Sequence, residues 1–169
     1  MKRKAAVYVV FAVLSLATSF QARAQALLSQ EMQSAQFFVG TWSCAHTVGD
    51  FSGTYKTTIA NSLDNRWLRQ TYDFPATSDG AAPVSAEYFI GYDPRSARWI
   101  RLGAMSDGLY FAMVANRNGN TWHWTYVLPG QGGSAVYTKK SDSLYTVDGP
   151  SYNQNGKPVT EHHTCRKSP

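Results

Sequence analysis

From Thr41 onward, apolar and polar residues alternate with a period of two, in short runs broken by turn residues. That period puts successive side chains on opposite faces of a strand. It predicts strands over 41–48, 53–62, 66–74, 85–92, 97–105, 109–116, 120–128, 134–140, 143–148 and 158–167. Between them stand Asp64-Asn65, Asp93-Pro94-Arg95-Ser96, Asp107-Gly108, Asn118-Gly119, Asp148-Gly149 and Asn155-Gly156. Asp-Gly and Asn-Gly tolerate the positive φ that tight hairpins need. Ser78 to Pro83 and Pro129 to Gly133 read as longer loops. Upstream, Leu28, Met32 and Ala35 share a helical face and Phe37 and Phe38 follow, which predicts a short helix over 29–38 that ends at Gly40.

About ten short strands with hairpin-length links form an all-β, up-and-down antiparallel meander. Closing it into a barrel removes its exposed edges. An open two-sheet sandwich is the alternative.

The first 24 residues read as a secretion signal. Lys2, Arg3 and Lys4 precede a mostly apolar stretch from Ala5 to Phe20, and Ala22-Arg23-Ala24 supplies a small-x-small cleavage pattern. The apolar run is too short and too broken by Ser and Thr for a membrane span. The mature domain is then 25–169, one domain by size. Charge changes meaning with this cut. The signal holds four of the 16 basic residues and none of the 11 acidic ones, so 12 basic residues face 11 acidic ones and the mature net charge is +1. No basic run remains to suggest nucleic acid or an anionic membrane surface. The expected destination is the periplasm or the cell exterior.

Gly40-Thr41-Trp42, opening the first strand after a short helix, resembles the G-x-W motif of lipocalin-like (calycin) barrels. Phe89-Ile90-Gly91-Tyr92-Asp93-Pro94, followed by Arg98-Trp99-Ile100, resembles an uncharacterised bacterial lipocalin-like family. The resemblance covers roughly residues 36–167 in order of elements; the other lipocalin motifs are not found. It implies that Trp42 lies inside the closed end, that Arg166 or Lys167 packs on it, and that the barrel holds a small hydrophobic or amphipathic molecule.

The chain has two cysteines, Cys44 and Cys165, both in the exported part, so a disulfide is expected. It would join the first strand to the last and close a loop of about 120 residues. With Cys44 opposite Cys165 in an antiparallel pair, His46 falls opposite His163 and Trp42 opposite Lys167, all on one face. If Trp42 points inward, as the resemblance implies, both histidines line the barrel. Cys44, His46, His163 and Cys165 then form an alternative zinc cluster. A second alternative is haem. Glu161-His162-His163-Thr164 resembles the C-terminal histidine region of nitrobindin-type barrels, which bind haem, and His162 and His163 face opposite ways, so one at most would serve.

Trp122, Trp124 and Tyr126 form one row of a strand, either as core packing or as the wall of a ligand pocket. Arg69 shares a face with Trp67 and Thr71, and Arg101 with Trp99 and Gly103. Either arginine could meet a ligand carboxylate by paired hydrogen bonds or reach out to water. Tyr55 and Tyr88 are further pocket candidates.

No nucleophile elbow, His-Glu-x-x-His or phosphate-binding glycine loop occurs. Asp73, Asp93, Asp107 and Asp148 fall at strand ends or turns, where Asp serves local hydrogen bonding. An isomerase or cyclase site made of a few barrel residues would leave no linear motif. Three classes follow: a binding protein for a small molecule, a haem or zinc protein, and a non-catalytic interaction or inhibitory module.

Overall fold

The computed structural model describes residues 30–75, 83–128, 133–152 and 157–169. The expected secretion signal and the Asn155-Gly156 turn lie outside the described residues, as does most of both long loops. Residues 30–34 form a helical segment that passes into a 3-10 turn, Gln36–Phe38. Ten strands follow: β1 (Gly40–Val48), β2 (Phe51–Ser62), β3 (Trp67–Phe74), β4 (Val84–Asp93), β5 (Arg98–Met105), β6 (Tyr110–Asn118), β7 (Thr121–Leu128), β8 (Ser134–Ser141), β9 (Leu144–Tyr152) and β10 (Pro158–Lys167). Each pairs antiparallel with its neighbours, and β1 pairs with β10 to close the barrel. This pairing excludes the open sandwich.

The closing register places Trp42 opposite Lys167, Cys44 opposite Cys165 and His46 opposite His163. A disulfide joins the two cysteines, whose Cα atoms are 4.0 Å apart.

One strand end departs from the sequence reading. Asp148-Gly149 is not a turn, because β9 continues to Tyr152 and pairs with β10 as far as Pro158. Gly149 is needed there for close approach. A Cβ on it would sit 2.5 Å from the Ser134 carbonyl oxygen on β8.

The interior divides into two ends. At the closed end Phe37 and Phe38 cap a cluster containing Trp42, Trp99, Trp122 and Tyr145. Trp42 is fully buried and donates its indole N–H to the Phe38 carbonyl at 2.7 Å. Lys167 Nζ lies 5.2 Å from the centre of the Trp42 ring and donates to the Phe37 carbonyl at 3.2 Å. Arg166, the other basic candidate, alternates to the exposed outer face. The closed end is therefore a packed plug, and open space lies toward the other mouth.

Candidate ligand cavity

The cavity occupies the half of the barrel away from the plug and has a volume of about 140 Å³. Its walls are mainly rings: Tyr55, Tyr72, Phe74, Tyr88, Phe111 and Tyr126. Tyr72 and Phe74 stack, and the other neighbours meet edge-on or tilted, with Tyr55 5.0 Å from Phe74 and Tyr88 4.7 Å from Phe111 between centroids. Such offset geometries suit the ring quadrupoles. Beneath it, a second space of about 10 Å³ lies between Trp99, Trp122, Trp124 and Arg101. That is room for one water at most.

Arg101 stands between the two spaces and lines both. It points inward because β5 alternates Trp99, Arg101 and Gly103 on the core side. It is only 5% exposed. Nη1 donates to the Tyr137 hydroxyl at 2.6 Å; Nη2 donates to the Tyr72 hydroxyl at 3.0 Å and to Gln70 Oε1 at 3.2 Å. The guanidinium Cζ lies over the Tyr88 ring, 4.5 Å from its centroid. Tyr88 can reach that place because Gly103 is directly across from it on β5. A Cβ on Gly103 would lie 1.8 Å from the Tyr88 ring.

A second polar group sits at the mouth. The Tyr55 hydroxyl and His163 Nδ1 are 2.6 Å apart, and His163 Nε2 bonds Glu161. Burial works against the Glu161 charge, but the bond from His163 and its field outweigh this and lower the carboxyl. Burial raises the Tyr55 phenol well above its ordinary value, so Tyr55 keeps its proton. With Glu161 ionised, Nε2–H donates to the carboxylate. His46 stacks on His163 at 5.5 Å between ring centres. Burial and then His163 lower its pKa, against the opposing pull of Glu161.

Of the residues singled out from sequence, Tyr55, Tyr88, Arg101 and Tyr126 line the upper cavity. Trp99, Trp122 and Trp124 lie below, around the small space. Arg69 is corrected. It is on the outer face, in an exposed ion pair with Glu87 at 2.7 Å. Its neighbour Trp67 misled the parity, because the Trp67 ring covers Gly91 across the strand pair on the outside. The inward residues of β3 are Leu68, Gln70 and Tyr72.

The zinc cluster is also corrected, since both sulfurs are tied up in the disulfide. Among the described residues no group of three His, Cys, Asp or Glu side chains is placed to hold a metal ion. The site does not fit haem either. Both His163 ring nitrogens are engaged within the wall. The cavity of about 140 Å³ falls below the roughly 300 Å³ from which pockets for drug-sized ligands begin, and a porphyrin is larger than such ligands. His162 points outward, to Asp148 at 2.5 Å.

Gln70, Tyr72, Tyr137 and Glu161 were missed in the sequence. Gln70 and Tyr72 could have been found from parity with Leu68, and Glu161 from parity with His163. Tyr137 carried no signal of its own.

No family model matches the chain, and no curated protein matches it. Among solved structures it is similar to a redesigned β-barrel at 16% identity, with 80% of this chain and 96% of that one covered and a TM-score of 0.47.

Proposed function

We propose that this chain is an exported binding protein that holds a small, mainly apolar organic molecule in the open half of its barrel. The observation that carries this reading is the cavity of about 140 Å³ walled by aromatic side chains and reached from one mouth. Binding sites for small molecules combine such apolar walls with a few convergent polar groups. Here those groups are Arg101, Tyr72, Tyr137 and the Tyr55–His163–Glu161 chain. The plug at the other end leaves a single end for entry. An engineered cavity of about 150 Å³ takes benzene, so the expected ligand is ring-sized, with any longer tail projecting at the mouth. The resemblance to lipocalin-like barrels and the disulfide both favour an exported binder. No helix among the described residues is long and apolar enough to cross a membrane.

Native mass spectrometry of the protein, secreted and purified without detergent, tests this. The expected spectrum has an organic adduct of low mass that leaves on activation. A bare chain that also takes up no ring-sized compound from a panel would count against a binding role.

A further inference from the structure

We propose that the cavity selects an organic monoanion, a ring-sized carboxylate, held by the uncommitted donors of Arg101 and the hydroxyls of Tyr72 and Tyr137. This rests on reading the cavity as a ligand site.

The argument starts from an unbalanced charge. A guanidinium cannot give up its proton inside a protein, and a buried charge is costly unless paired. Arg101 is buried, yet no carboxylate among the described residues forms an ion pair with it. Glu161 is the acid that lines the same cavity, and it is bonded to His163. Two of the phenols around it do not supply the charge. Burial raises Tyr72 well above its ordinary value and Tyr88 to about 12, so both are neutral at physiological pH. The ring faces of Tyr88 and Phe111, 4.5 and 5.4 Å from Cζ, attract the cation without neutralising it.

Hydrogen-bond counting points the same way. A guanidinium has five N–H donors. Three bonds are made here, and Nε is buried with no acceptor among the described residues. One Nη1 hydrogen is also uncommitted. The Tyr72 and Tyr137 hydroxyls both accept from Arg101, and neither donates to another group among the described residues. Their O–H protons remain available, polarised by the cation. Donors of this kind around one positive charge favour an anion over a neutral polar group.

One cation balances one negative charge, so a monoanion fits better than a phosphate dianion. Volume then limits the body to about one six-membered ring. Tyr88, Phe111 and Met113 supply its apolar surroundings.

The test is calorimetric titration, in chloride-free buffer, with benzoate, cyclohexanecarboxylate and 4-hydroxybenzoate and with the three matching amides. Wild type is compared with Arg101→Met and Tyr72→Phe, with near-ultraviolet circular dichroism as the check on folding. At least one acid is expected to bind about ten- to a hundredfold tighter than its amide. Arg101→Met should erase this preference, and Tyr72→Phe should reduce it. Should Arg101→Met fail to fold, the acid–amide comparison in wild type still decides. Equal binding of acid and amide would overturn the anion selection and leave the cavity a ligand site. Binding of no member at millimolar concentration would overturn both readings.

Discussion

Gln70 Oε1 accepts a hydrogen bond from Arg101 Nη2 at 3.2 Å, with both side chains buried in the middle of the barrel. Gln70 in turn donates from Nε2 to Thr57 Oγ1 at 3.2 Å, and Thr57 donates to the Thr71 carbonyl at 2.8 Å. The position of the guanidinium is thus fixed through two neutral side chains to the β3 backbone. The barrel thus holds a buried cation with neutral partners and no carboxylate among the described residues.

That asymmetry has a measurable consequence. Replacing a whole buried ionic group, charge and partners together, by apolar side chains of similar size is often neutral or stabilising by about 1–4 kcal/mol. Removing only a partner of the charge costs about 1–3 kcal/mol. Gln70→Leu is therefore expected to lower the urea midpoint, whereas Gln70→Leu/Arg101→Met, which removes the charge together with that acceptor, should recover it. Similar losses in both variants would mean that Arg101 is structural.

Gly103 gives a steric test. Its substitution by Ala puts a Cβ where the Tyr88 ring now lies, 1.8 Å away. The ring must swing off the glycine, toward Arg101 and the cavity. Overpacking of this kind costs about 1–3 kcal/mol. The variant should unfold at lower denaturant and bind ring-sized compounds more weakly. Unchanged binding would show that Tyr88 does not bound the ligand space.

The Cys44–Cys165 bond closes a sequence separation of 121 residues between the two strands that seal the barrel. Loss of a link of that span is expected to cost about 2–5 kcal/mol. Denaturation of Cys44→Ala/Cys165→Ala, compared with oxidised wild type, checks this. A shift within error would mean that the β1–β10 pairing holds without it.

The mouth makes the fold acid-sensitive. His46 has a lowered pKa in the folded chain, so below its ordinary value of 6.5 the unfolded chain binds the extra proton. Stability should fall as pH drops through that region. Glu161 is also lowered, and its ordinary value is 4.5, so a second loss follows below that pH. Both effects have the same sign: stability present at neutral pH is lost on acidification. Urea midpoints across this range should show two declines, with His46→Gln removing the upper one. A midpoint that rises on acidification would contradict the assignment.

Much of the fold was legible because its signals are local. The alternation and turn residues located all ten strands, and nine of them end within two residues of the expected bounds. The β1–β10 register followed from two cysteines and period two alone. β9 ran on because Asp148-Gly149 has turn chemistry, yet Gly149 answers to the neighbouring Ser134 backbone. The site was less legible. Arg101 was singled out with the inward face of its strand unassigned, and Arg69 was set beside it because Trp67 on an outer face looks like a core residue. The partners of Arg101 come from β3 and β8, and only closure of the barrel brings these together. The size of the cavity was not legible at all, since it depends on how far the rings from six strands fill the lumen.

Three methionines report on where a molecule binds. Met113 lines the cavity wall, Met105 ends β5 at the mouth, and Met32 is buried in the plug. The most direct measurement is a methyl NMR titration of protein labelled with ¹³C at the methionine methyls, with benzoate as ligand. A saturable shift of the Met113 signal, with Met32 unmoved, is the result expected for a ligand held over Arg101. A saturating spectrum in which Met113 stays still, or in which Met32 moves instead, would contradict a ligand-binding cavity in the open half of the barrel.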